Sequence, residues 1–229
     1  MGSFDFDVII RTWPYLIYDG LGFTLRLTAM ATVLGIILGT VFALMRLSGI
    51  GVLAWISNGY TTLCRSLPFV LVIFWFYFLL PYIGAWVTGS PRPIKVGAFN
   101  SALITFTLFE AAFFAEIMRA GIQSIPKGQS AAGYALGLSY AQVMGTIVLP
   151  QAFRNMVPAL LTQTIVLFQD TSLVYVISLT DLLGAASKVA QRDGRLVEMY
   201  LFAALIYFVI SFTLSQIVRR LQTSTAISH

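Results

Sequence analysis

The sequence holds one cysteine, Cys64, and one histidine, His229, at its last position. A lone thiol excludes a disulfide framework, and two such residues are too few for a zinc site of Cys and His ligands. Charge is scarce as well. Asp, Glu, Lys and Arg make up 10% of the 229 residues, against roughly 25% in ordinary soluble domains. These absences argue against a water-soluble fold and against a hydrolase built on an imidazole base or a metal. The net charge of +5 is spread among loops and does not form the clustered patch that nucleic acid requires. Apolar residues fill the remainder: 58% of the chain is hydrophobic.

Residues 1–19 carry Asp5, Asp7 and Asp19 with a single Arg11, without the basic start and small-residue cleavage site of a signal peptide. Phe4, Phe6, Val8, Ile9, Trp13, Tyr15, Leu16 and Ile17 make this lead aromatic-rich, suited to the membrane surface, with Pro14 interrupting it. A bilayer crossing takes about 20 mostly apolar residues. Five stretches qualify: about Leu21 to Met45, Pro68 to Val87, Val96 to Met118, Val157 to Leu179 and Met199 to Val218. The second can extend backwards through Val52 to Leu63 across a break at Arg65-Ser66-Leu67-Pro68. The expected fold is therefore an all-α polytopic membrane protein of about five transmembrane helices, spanning residues 20–218, with a tail at 219–229.

Five crossings put the termini on opposite sides, and the basic residues do not decide which. With the C-terminus inside, Arg46, Arg65, Arg119, Lys127, Arg154, Arg219 and Arg220 are cytoplasmic. Arg11, Arg26, Arg92, Lys95, Lys188, Arg192 and Arg195 form an equal outer set, so the positive-inside rule is nearly balanced. The pair Arg219-Arg220 directly after the last span tips it toward a cytoplasmic C-terminus.

The segment at about 119–156 is more specific. Ala131-Ala132-Gly133, three residues, Gly137, nine residues, then Ile147-Val148-Leu149-Pro150 reproduce the EAA-loop spacing of small residues, Gly and I-x-L-P. Small residues allow close helix approach, and Gly137 and Pro150 punctuate two helical pieces. The plainer reading is a helical hairpin whose small residues pack only locally. The spacing resembles the permease subunits of bacterial ABC importers. Glu116-Ile117-Met118-Arg119-Ala120-Gly121, Arg65-Ser66-Leu67-Pro68 and Asp170-Thr171-Ser172-Leu173 are similar to the E-I-x-R-x-G, R-G-x-P and D-T-S-L elements of its polar amino-acid branch. The strings around Glu116 and Asp170 look nearest to permeases of glutamate/aspartate importers. Departures are Ala131 in place of the acid that often opens the triplet, Gly133 as its third small residue, and Gln169 where many relatives have Lys.

This resemblance implies a type I permease fold working with an ATP-binding cassette dimer, a second related permease and a periplasmic amino-acid-binding protein. ATP and Mg would reside on the ATPase subunits, and the permease itself would hold no cofactor and not be an enzyme. The sequence agrees on one point. Its nearest approach to a phosphate-binding loop, Gly121 to Lys127 followed by Gly128, has Pro126 for the second Gly and lacks the Ser/Thr. If ATP is hydrolysed elsewhere, the loop with Ala131, Ala132, Gly133, Gly137, Ile147, Leu149 and Pro150 is the coupling contact and is cytoplasmic. That sets a periplasmic N-terminus and a cytoplasmic C-terminus in the bacterial inner membrane.

Acids within spans are expensive and need a partner, another subunit or a watery path. Glu110 reads as an inter-subunit structural residue. Glu116, one turn before Arg119, reads equally as a local ion pair or as part of a path. Asp170-Thr171-Ser172 reads as path lining, against packing through hydroxyl-to-backbone bonds. With Arg65 and Ser66 these residues form the candidate substrate path. Glutamine, histidine or arginine remain alternative substrates, and a proton-coupled secondary transporter is the competing mechanism, though such proteins usually show internal repeats and none is found.

Overall fold

The computed structural model describes residues 4–225, so the end of the tail, with His229, lies outside the described residues. Every regular element there is helical. In chain order they are α1 (Asp7–Pro14), a π-helical stretch (Tyr15–Leu21), α2 (Gly22–Leu47), α3 (Gly51–Ser66), α4 (Phe69–Thr88), α5 (Ala98–Gln123), α6 (Lys127–Ala135), α7 (Tyr140–Gln142), a second π-helical stretch (Val143–Val148), α8 (Leu149–Asp170), a 3-10 turn (Thr171–Ile177), α9 (Leu182–Asp193) and α10 (Leu196–Thr225). Five helical runs are long and apolar enough to cross a membrane: Asp7–Leu47, Phe69–Thr88, Ala98–Gln123, Tyr140–Ile177 and Leu196–Gln222. Each overlaps one of the five spans read from the sequence, with ends that differ by a few residues in several.

One expected interruption is absent. Pro14 does not interrupt the chain: it sits inside α1, and the π-helical stretch that follows absorbs its missing donor without ending the helix. The lead therefore runs into the first span as one helical path of 41 residues, about 60 Å long or twice the hydrocarbon thickness. It is seated by Val8 and Leu16 on Ala185, Ala186 and Val189 of α9 and Met199 and Ala203 of α10. The break before Pro68 is real, and it separates α3 from α4 as two helices.

Helices in a bilayer gain little from burying apolar surface, so they associate where small residues let backbones close. Gly35 and Gly39 of α2 do this against α5. A Cβ on Gly39 would stand 2.8 Å from Phe114 Cβ and 3.0 Å from the Ala111 carbonyl, and one on Gly35 would be 3.1 Å from the Phe114 ring. The outward faces keep large apolar side chains such as Val33, Ile37, Leu201 and Leu205 exposed, as suits contact with lipid tails. On α4, Phe69 stacks on Phe109 and meets Phe106 edge-on, which pins the helix start after Pro68 to α5.

A buried carboxylate organises the segment between the fourth and fifth spans. Asp181 begins α9, accepting the Leu183 and Gly184 N–H groups at 3.0 and 2.9 Å, as an N-cap aspartate does. Tyr207 of α10 donates to it at 3.3 Å, and Leu182 N donates to Thr24 Oγ1 of α2 at 3.1 Å. One short corner thus joins three elements. Burial pushes Asp181 up to about 6, although these donors pull the other way. The folded form then binds a proton that the unfolded chain releases near 4, so stability falls as pH rises from about 4 through 6. We expect thermal unfolding of the purified protein to show this slope and Asp181→Asn to flatten it. An identical slope in the variant would assign it to another group.

Candidate functional site

The EAA-like segment folds as a tight helical hairpin. α6 ends in a Schellman motif: Leu138 N donates to Gly133 O at 3.1 Å and Gly137 N to Tyr134 O at 2.9 Å, with Gly137 at φ 80. That backbone conformation is why the position calls for Gly. Ser139 and Gln142 then form a reciprocal capping box that starts α7. Gly133 is the close-approach residue, since a Cβ there would fall 2.8 Å from Ile147 Cδ1 and 2.9 Å from Val143 Cγ2. Ala131 and Ala132 face outward instead. Leu149 and Pro150 start α8, and both are exposed. Gly133→Leu should force the hairpin apart at a cost of about 1–3 kcal/mol, read as a lowered melting temperature with the spans intact. Unchanged melting would mean the contact carries no stability.

On the hairpin's outer surface stand Leu136, 82% exposed, and Tyr140, 67% exposed. They are the most exposed large apolar side chains of the hairpin. The sequence search for small residues found the hinge of the hairpin and passed over these.

The three intramembrane acids have separate environments. Glu116 is committed: Arg46 Nη1 of α2 lies 2.8 Å from its Oε2, and Arg119 engages both of its oxygens. Arg119 also bonds Gln123. The ion pair is thus a clamp between α2 and α5, and Arg46, counted in the sequence only for orientation, is half of it. Glu110 is buried inside the chain, where its Oε2 accepts from Gln163 Nε2 of α8 at 2.9 Å. This differs from the inter-subunit placement expected for it, because the closeness of α2 at Gly35 and of α8 encloses it. Its Oε1 has no hydrogen-bond partner among the described residues. Asp170, where α8 tightens into the 3-10 turn, is partly buried and has no hydrogen bond or ion pair among the described residues. It lies within electrostatic reach of Glu110.

Of the remaining path candidates, Thr171 is turned away. It is fully buried and donates to Phe168 O at 2.6 Å, so its hydroxyl is spent on the backbone. Ser66 likewise donates to Thr62 O. Arg65 holds its guanidinium 5.7 Å over the Phe113 ring and lies within electrostatic reach of Glu116. Beside it, α4 starts at Pro68 without a side-chain cap, leaving the positive end of that helix open. Ser172 points into a cleft between α8 and α10 together with Gln169. Among the described residues Asp170 thus keeps an unpaired carboxylate, Glu110 keeps one unpaired oxygen in the interior, and Arg65 stands beside the uncapped start of α4. Among the described residues no group of three or more His, Cys, Asp or Glu side chains could hold a metal ion.

Comparison with known proteins adds an independent line. Residues 31–226 match the family model described as binding-protein-dependent transport system inner membrane component. The glutamate/aspartate import permease protein GltK of Escherichia coli O6:H1 is 51% identical over 228 residues, covering 99% of this chain and 100% of that protein. The arginine transport system permease protein ArtQ of Bacillus subtilis is 33% identical, covering 93% of each. Among solved structures, an amino acid ABC transporter crystallised with histidines superposes with a TM-score of 0.85 at 31% identity, over 97% of this chain and 100% of that one. A chain of the MetNI methionine transporter superposes at 0.68 with 20% identity, which speaks for the fold alone.

Proposed function

Because the chain belongs to the family of binding-protein-dependent transport system inner membrane components, we propose that it is the permease subunit of an ATP-driven importer carrying glutamate and aspartate across the bacterial inner membrane. The observation that carries the substrate is 51% identity along the whole length to a glutamate/aspartate import permease. Relatives named for arginine and glutamine transport stand at 33% and 36%.

In this reading ATP and Mg bind a separate cassette dimer, which docks on the hairpin around Leu136 and Tyr140. The hairpin and the 219–229 tail are then cytoplasmic, and the 1–19 lead and α9 are periplasmic. A binding protein delivers the amino acid to the outer face, and a second, related permease completes the path. Asp170 receives the substrate ammonium, with Glu110 behind it. Arg65 and the open start of α4 attract carboxylate. Glu116 holds α2 to α5 and is not a substrate ligand.

The test is ATP-dependent uptake of labelled amino acids by the full complex in vesicles. Acidic amino acids should compete with one another and define the activity. Transport confined to glutamine or basic amino acids would overturn the substrate assignment, and uptake driven by a proton gradient without ATP would overturn the mechanism.

A further inference from the structure

The open cleft between α8 and α10 has a volume of about 520 Å³ and is lined by Gln169 and Ser172 on one side and Tyr207, Ser211 and Ser215 on the other, with Phe208 and Phe212 at its wall. Hydroxyls on membrane helices ordinarily spend their proton on the carbonyl one turn back. Thr12, Thr28, Thr105, Thr162 and Thr164 all do so here. Ser211 does not: it is 7% exposed and its Oγ has no partner among the described residues. Gln169, Ser172 and Ser215 also make no side-chain hydrogen bond among the described residues. Four polar side chains thus converge on one space with their donors unused. In a bilayer such groups are costly until something satisfies them.

We propose that this cleft holds the side-chain carboxylate of the transported amino acid, with Gln169, Ser172, Ser211 and Ser215 donating to it. The proposal rests on the acidic amino-acid reading above and supplies the part of the molecule that such a substrate has and a neutral one lacks. The cleft offers up to five N–H and O–H donors and no cation. Nor is its lining acidic: the nearby Asp181 stands behind Tyr207 and already accepts a hydrogen bond from its hydroxyl. Asp170 follows Gln169 directly, about 100° around α8, so one residue step separates the ammonium ligand from the carboxylate ligands. An exposed stripe of α8 continues from the cleft toward the other end of the helix through Val166, Thr162, Ala159 and Asn155, with a polar residue at every seventh position.

The test uses the complete reconstituted complex with its binding protein, comparing L-glutamate with L-glutamine. Ser211→Ala should raise the KM for glutamate about tenfold, the usual worth of a donor to a charged acceptor. Gln169→Glu, which places a like charge in the cleft, should reduce glutamate uptake at least a hundredfold. Equal glutamate uptake by both variants in an active complex overturns the cleft alone. A wild-type complex that imports no acidic amino acid overturns the functional reading and the cleft with it. Loss of assembly in both variants, restored by Ser211→Thr, would make the cleft a packing seam and also overturn the proposal. A defect greater for glutamine would assign the donors to a carboxamide instead.

Discussion

Asp170→Asn should lower ATP-driven uptake by roughly a hundred- to several-thousandfold while the complex still assembles and hydrolyses ATP at its basal rate. The magnitude follows from removing one member of a desolvated charge pair, about 3–5 kcal/mol, once the substrate ammonium is seated against the carboxylate. Asparagine has nearly the shape of aspartate, and the Asp170 side chain makes no hydrogen bond or ion pair among the described residues that the change could break. A structural role therefore predicts almost no effect. The other two acids supply the contrast. Glu110→Gln should keep the bond to Gln163 and cost less. Glu116→Gln should weaken the contact of α2 with α5 by stripping Arg46 and Arg119 of their partner, and so lower thermal stability before selectivity. Uptake kinetics and ATPase measured on the same purified complex distinguish these. Normal uptake by Asp170→Asn removes the residue from the path.

Leu136→Asp should separate energy input from the permease. With 82% of the residue exposed, the substitution costs the isolated chain almost nothing. If Leu136 is an anchor in a surface groove of the ATPase, burying an unpaired carboxylate there costs several kcal/mol and weakens docking a hundredfold or more. The variant should insert, fold and melt like the parent, yet fail to retain the ATPase subunit on purification. Tyr140→Ala, which removes a second exposed anchor, should act in the same direction with a smaller effect. Retention of the ATPase and normal substrate-stimulated hydrolysis in Leu136→Asp would move the docking surface elsewhere on the protein.

The five spans were legible in the sequence because crossing a bilayer is a local requirement. About 20 apolar residues between charges satisfy it whatever the neighbours do. The hairpin was legible for a related reason: Gly137 answers a backbone angle and Gly133 a close approach within a single short segment. The arginines and acids could be counted, but their pairing could not. Glu116 and Arg119 are a helical turn apart, whereas Arg46 reaches the same carboxylate from 70 residues away and only the packing of α2 on α5 brings it there. Glu110 looked available to another subunit until Gln163 and the glycine face of α2 enclosed it. Thr171 and Ser172, adjacent in a D-T-S-L string, part company because the 3-10 turn buries one against the Phe168 carbonyl and turns the other toward α10. Helix formation and membrane crossing depend on residues near in sequence, so composition and spacing determined them. Which polar atoms are spent and which stay free depends on contacts between distant helices, and only the tertiary structure decided that.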